Sequence, residues 1–296
     1  VIYNNILELI GDTPIVKFNK IGKELKCGLF AKCEFFNAGG SIKDRPVMTM
    51  IIEAILSGKL TKSKTILDAT SGNAGISYAM IGSILGYDVT LIMPENASEE
   101  RKKRILAHGA NIIFTDAMLG YDESLHEVKR IYEKSPEQYF YCDQYSNSKN
   151  PYAHYNSTGS ELIKQLPEIT HFVAGIGTGG TISGVGKKLK EYNPNIQIIG
   201  INPTEWPGIE GLKPLGEGHI IPETFDEAIV DHLIDIDVEE AFKVSKILSK
   251  KGFFVGQSSG AYVLGAIETA KSVRRGQIGT IFNDLGERYF STSMWG

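Results

Sequence analysis

Cysteine is scarce: the 296 residues hold three, Cys27, Cys33 and Cys142, with no C-x-x-C pair. That excludes a disulfide framework, and the thiols are expected to act as small buried hydrophobes in a reducing compartment, the cytoplasm. No apolar run approaches the ~20 residues of a membrane-spanning helix, and the first residues lack the charged-then-apolar order of a secretory signal. Cationic excess is also missing: 31 lysines and arginines against 35 aspartates and glutamates leave a net charge of −4, no footprint for nucleic acid. The densest basic stretch, Arg101-Lys102-Lys103-Arg104, follows Glu99-Glu100 and reads as a solvated helix face. His154, His171 and His219 show no metal-ligand spacing, so surface or loop positions are expected for them. Internal repeats and low-complexity segments are absent too.

What remains is a chain with 42% hydrophobic residues, enough for one large or two medium cores. From residue 64 onward, short β-rich runs alternate with helix-period segments, the pattern of βαβ units around a parallel sheet. Strands are predicted over residues 64–68, 88–93, 110–115, 139–143, 170–175, 196–201, 233–236 and 279–283. Helices are predicted over 74–86, 97–108, 121–134, 156–165, 181–192, 238–252 and 259–273, with Asp237 as an N-cap before Glu239 and Glu240. The turn-forming run 146–151 marks a lobe boundary. Two α/β lobes are therefore expected, each a mostly parallel twisted sheet flanked by helices: residues 36–147, and residues 148–296 joined by the first 35. Residues 203–224, rich in proline and glycine, read as a long substrate-facing loop that includes Glu205 and Trp206.

Within this frame, Asn37-Ala38-Gly39-Gly40-Ser41-Ile42-Lys43-Asp44-Arg45 sets one lysine directly behind a glycine-rich turn. A lysine amine forms an imine with an aldehyde cofactor if its surroundings keep it partly neutral. Two further loops, Thr70-Ser71-Gly72-Asn73-Ala74-Gly75 and Gly175-Ile176-Gly177-Thr178-Gly179-Gly180-Thr181, each lie between a strand-like and a helix-like run. Their backbone N–H groups and the following helix N-termini are natural anion cradles.

In order and spacing, these three segments together with Gly256-Gln257-Ser258-Ser259-Gly260 and Gly286-Glu287-Arg288-Tyr289 resemble the pyridoxal-phosphate enzymes of the cysteine synthase family, which includes the cystathionine β-synthase core. The resemblance spans roughly Leu7 to Thr292. It implies pyridoxal 5'-phosphate in the cleft between the lobes, held by Lys43, with its phosphate on Gly177, Thr178, Gly179, Gly180 and Thr181. Asn73 would hydrogen-bond the ring hydroxyl and Ser258 the pyridine nitrogen, while Thr70, Ser71, Gly72, Asn73 and Gln144 would hold the substrate carboxylate. The implied reaction is β-replacement at a serine- or cysteine-type amino acid through an aminoacrylate, building L-cysteine from an activated serine and sulfide in a homodimeric enzyme. The alternative within the family starts from L-cysteine, releases hydrogen sulfide and forms serine or a thioether such as lanthionine.

Simpler readings stand beside these. Asn73 suits a left-handed turn, Ser258 and Ser259 suit a helix cap, and Gln144 suits an ordinary strand end. The run Gly175 to Gly180 also matches the G-x-G-x-x-G of nicotinamide-dependent dehydrogenases, but the next strand ends in Asn202-Pro203 instead of the acidic residue that fingerprint requires. A non-catalytic binding partner is a third reading, opposed by the presence of Lys43. Two departures bear on specificity: Ala74 stands where the family usually has threonine, and Glu217 and His219 bring a carboxylate and an imidazole to the long loop.

Overall fold

The computed structural model describes residues 2–18, 25–204, 208–216 and 219–296. Its strands are β1 (Ile15–Lys17), β2 (Gly28–Cys33), β3 (Thr65–Ala69), β4 (Val89–Pro94), β5 (Asn111–Thr115), β6 (Tyr139–Tyr141), β7 (Ile169–Gly175), β8 (Gln197–Pro203), β9 (His232–Ile236) and β10 (Gln277–Phe282). The helices are α1 (Asp44–Leu56), α2 (Asn73–Leu85), α3 (Glu99–Ala107), α4 (Gly120–Lys134), α5 (Lys149–Asn156), α6 (Thr158–Gln165), α7 (Gly180–Tyr192), α8 (Val238–Ser249) and α9 (Gln257–Ser272).

Two sheets result. The larger has the order β1-β2-β10-β7-β8-β9 and is parallel except for β1; the smaller, β5-β4-β3-β6, is parallel throughout. All six residues of β4 are buried, as expected of a strand covered by helices on both faces. On β3 the alternation is explicit: Ile66 faces the core under α1 and α2, whereas Leu67 and Ala69 join Tyr121, Leu125 and Val128 of α4. A separate core surrounds the larger sheet.

Asp237 caps α8 as expected, accepting the Glu240 N–H at 2.9 Å. The predicted set omits α1 and α5. The buried positions Val47, Met50, Ile51 and Ala54 of α1 repeat with helix period, and Pro46 lies in its first turn, where a missing N–H breaks no intrahelical bond. Pro151 likewise sits in the first turn of α5, so the run read as a break opens a helix instead. The N-terminal segment serves both halves: β1 and β2 complete the larger sheet, while Leu7 packs into the smaller sheet's core.

Because neighbouring strands run parallel, their carboxyl ends open on one side, where α/β sheets place ligands. Thr70 follows β3, Gln144 follows β6, residues 177–181 follow β7, and Asn283 with Asp284 follows β10. These ends, from both sheets, converge on one cavity.

Candidate active site

Lys43 immediately precedes α1, and its backbone is fixed from both sides. The Ile42 N–H donates to the Asn283 carbonyl at 3.0 Å, and Ser41 bridges to Asp284, tying the segment to the end of β10. Next in sequence, buried Asp44 accepts the Gly39 N–H at 2.6 Å and the Ser77 hydroxyl at 2.5 Å, which closes the glycine turn. Arg45 reaches the other way, into Glu34 and Glu161. Held between these anchors, the Lys43 side chain lines a cavity of about 580 Å³. Its amine has no hydrogen-bond or ion-pair partner among the described residues. Burial pushes that amine down from the ordinary 10.5 to about 8, against a weaker opposing pull from Asp68.

The loop after β3 is shaped by Thr70, whose Oγ1 accepts the N–H groups of Gly72 at 3.0 Å and Gly75 at 2.9 Å. That spends the lone pairs of the hydroxyl on the start of α2 and leaves its proton to be donated. Gly72, at φ +155°, makes the turn, so Asn73 enters α2 in helical geometry and its left-handed reading falls away. The Asn73 amide is fully oriented: Nδ2 donates to Asp284 Oδ2 at 2.6 Å, and Oδ1 accepts from Arg288 Nη1. Arg288 Nη2 also holds the Gly39 carbonyl at 2.5 Å, and Tyr289 donates to the same Asp284 oxygen at 2.6 Å. Gln144 Nε2 donates to the Ala69 carbonyl at 2.8 Å, which leaves its second hydrogen without an acceptor among the described residues. Thr70, Ser71, Asn73, Ala74 and Gln144 all line the cavity; Gly72 lies behind it.

Across the cavity, the loop after β7 opens α7. The N–H groups of Gly177, Thr178, Gly179 and Thr181 have no acceptor among the described residues, and they gather at a helix N-terminus, the arrangement that attracts an anion. Gly177 has no room for a side chain, because the Gly211 carbonyl occupies that space. Gly179 needs its φ of +80°. Gly180 is set back from the cavity wall; its N–H turns to Thr178 Oγ1 at 3.3 Å, and Asn150 fills the place of a side chain. Behind the loop stands His154, buried on α5 with Nδ1 3.0 Å from Thr158 Oγ1 and Nε2 3.2 Å from Thr181 Oγ1. Burial, reinforced by the charges of Arg45 and Lys43, holds it well below the usual histidine range, hence neutral. The expected surface position of His154 is thereby corrected: once α5 forms, the ring faces α7.

Ser258 lies in the first turn of α9 and accepts from Asn283 Nδ2 at 3.1 Å, while Ser259 accepts the Asn283 N–H at 2.9 Å. Neither caps the helix; Gly256 occupies that position. Ser258 lines the same cavity as Asn73 and Lys43. His219 is not among the residues lining it, and Glu217, like Glu205 and Trp206, lies outside the described residues.

Arg288 and Tyr289 lie in the segment 286–289 that carries the resemblance, which gave them no role; Asp284 and Asn150, which also orient the named site residues, carry no signal in the sequence. The same holds for Arg101: the solvated-face expectation is right for exposed Lys103 but not for Arg101, which is buried and lines the cavity. Four basic residues in a row cannot share one helix face, and the arginine on the inner side has an acidic partner there, Glu210.

The comparisons with known proteins agree with this geometry. Residues 6–284 match the family model described as pyridoxal-phosphate dependent enzyme. A cysteine synthase of Aquifex aeolicus is 47% identical over 98% of this chain and 91% of its own length. Among solved structures, a hydrogen sulfide-producing enzyme from Fusobacterium nucleatum superposes with a TM-score of 0.92 at 35% identity, covering 98% of this chain and 100% of that one. An O-acetylserine dependent cystathionine beta-synthase from Helicobacter pylori does so with 0.92 at 33%, over the full length of both chains. The chain belongs to the pyridoxal-phosphate dependent enzymes, in the branch that holds the cysteine synthases.

Proposed function

We propose that the chain catalyses β-replacement at a serine-type amino acid, joining an activated serine and sulfide to give L-cysteine, with Lys43 as the residue that carries pyridoxal 5'-phosphate. The observation that carries this reading is the partnerless, low-pKa amine of Lys43, facing a cradle of unsatisfied N–H groups across one cavity. The residues fit the cofactor. Residues 177–181 would take the phosphate, Asn73 the ring hydroxyl and Ser258 the ring nitrogen, between a lobe of residues 36–147 and one of residues 1–35 and 148–296.

When bound, the cofactor supplies an electron sink that makes the substrate's α-proton acidic and its β-substituent labile. Lys43 Nζ, neutral above about pH 8, accepts that proton. The free hydroxyl protons of Thr70 and Ser71, the spare hydrogen of Gln144 and the N–H groups around Asn73 hold the substrate carboxylate, which aligns the Cα–H bond for transfer. Ser258, whose lone pair takes the Asn283 amide, offers its own proton to a ring nitrogen without imposing a charge there. A carboxylate in that place would accept from a protonated ring nitrogen, keep it charged and strengthen the sink, which elimination of a good leaving group does not require.

A second reading, L-cysteine as the substrate with release of hydrogen sulfide, draws on Ala74, which removes a hydroxyl from the cavity wall, and on the likeness to the Fusobacterium enzyme. Both readings take the enzyme to be a cytoplasmic homodimer, which light scattering would test for assembly. The deciding experiment follows the visible spectrum and sulfide on separate addition of O-acetylserine and L-cysteine. Sulfide consumption with O-acetylserine supports the synthase, and sulfide release from cysteine supports the second reading. A protein that takes up no cofactor, or a Lys43→Ala variant that still retains a borohydride-fixed cofactor, overturns the assignment of Lys43.

A further inference from the structure

Arg101 has no part in the chemistry above, yet it is held firmly at the cavity wall. Its Nε donates to Ser98 Oγ at 2.7 Å, and its guanidinium carbon lies 5.0 Å from the centroid of the Tyr289 ring. Nη1 sits where a side chain on Gly72 would have to be, 2.6 Å from that point, so the glycine makes room for the arginine under the substrate loop. Nη2 donates to Glu210 Oε2. A guanidinium this deeply buried requires a negative partner, since a buried charge left unpaired is strongly destabilising.

That partner comes from the other sheet. Glu210 follows β8 on a segment whose Ile209 and Leu212 are buried in the larger core, and its own N–H donates to Gln257 Oε1 at 2.9 Å. The Glu210 side chain remains 25% exposed, against 2% for Arg101, and both line the cavity. The pair thus consists of a cation locked in place and a carboxylate at the solvent edge, both on the wall of the cavity.

We infer that Glu210 is a specificity determinant for the second substrate: its carboxylate occupies Arg101 and repels acidic nucleophiles, so the enzyme favours small or neutral ones. An acidic thiol enters productively only by displacing Glu210 and placing its own carboxylate on Arg101. The inference rests on the β-replacement reading, and a thiol series separates the two. The nucleophiles are 2-mercaptoethanol, cysteamine and 3-mercaptopropionate, offered to the cofactor-loaded enzyme with whichever of O-acetylserine or cysteine it turns over. Failure with every thiol and with sulfide would strike the reaction assignment; the ratios among thiols test Glu210.

The expected wild-type order places 3-mercaptopropionate last in kcat/KM. Glu210→Gln raises its kcat/KM relative to 2-mercaptoethanol about tenfold or more, the scale of a charge-assisted pair formed with Arg101 once the like-charge repulsion from Glu210 is removed. Cysteamine moves the other way. Adding Arg101→Gln to Glu210→Gln removes the gain for 3-mercaptopropionate, whereas Arg101→Lys retains part of it and guards against a folding failure of the neutral variant. The inference is overturned if Glu210→Gln changes all three thiols by the same factor, the result of a loop tie with no filtering role, or if the gain survives Arg101→Gln.

Discussion

At the scale of single residues, the site depends on groups whose ordinary charge is altered by where they sit. Lys43 illustrates the direction. Its folded-state value of about 8 lies below the ordinary 10.5, so between those values the unfolded chain holds a proton that the folded one has released. Stability of the cofactor-free protein from this group is therefore lowest below about pH 8 and rises as pH climbs from 8 to 10.5. Lys43→Met is expected to stabilise the cofactor-free protein by up to about 3 kcal/mol at pH 7, with the gain shrinking toward pH 10.5. Urea midpoints of both proteins at the two pH values check this; equal midpoints at pH 7 would show that the amine is not desolvated. Lys43 was legible in the sequence because the glycine turn before it stands in order with four other segments along the chain, a pattern that needs no fold to be read. Arg101 and His154 were not, because which member of a basic run is buried, or which ring backs a loop, depends on helices that meet only in the fold.

At the scale of elements, a buried ionic cluster sets the origin of α1 and hence the direction of Lys43. Glu161 on α6 binds Arg45 on α1 and Lys32 on β2, both at 2.6 Å, and Glu34 at the end of β2 binds Arg45 at 2.7 Å. Burial alone would raise the Glu161 carboxyl, but the hydrogen bonds and charges of Arg45 and Lys32 outweigh it and hold it at about 2. Its stabilising contribution is complete above pH 4.5 and is lost as pH falls from there through 2. Glu161→Gln leaves two buried cations short of a partner and is expected to cost about 3 kcal/mol at neutral pH, with a flatter pH dependence of the urea midpoint below 4.5. A loss under half a kcal/mol would mean that Glu34 alone suffices for Arg45. The βα alternation after residue 64 was readable because parallel strands and amphipathic helices leave different periods in the chain. The helices α1 and α5 escaped because each carries a proline in its first turn, a signal shared by breaks and helix starts.

At the scale of the molecule, two sheets with separate cores meet across a shared cavity. Strand pattern alone could not order the larger sheet, because β10, the last strand in sequence, is inserted between β2 and β7. That insertion brings Asn283 and Asp284 against the loop after β3 and lets Arg288 and Asp284 grip Asn73. Ion pairs also tie the two halves, Arg101 to Glu210, Lys213 to Asp122 and Arg45 to Glu161, each a buried cation on a partly exposed carboxylate. A cofactor held by residues 177–181 and Ser258 as well as by Asn73, and anchored at Lys43, would add a further tie between them. Ligand present at a thousandfold excess over its dissociation constant adds about 4 kcal/mol. In a chain of this size that corresponds to a melting temperature higher by about 5–10 °C. Calorimetry of the cofactor-loaded and cofactor-free protein is expected to show that difference, with a single sharp transition in the loaded protein and a broader or divided one without cofactor. Coincident, equally sharp transitions would mean that the packing of α1 on α5 already couples the two cores, and that the cofactor reports on the cleft without holding it together.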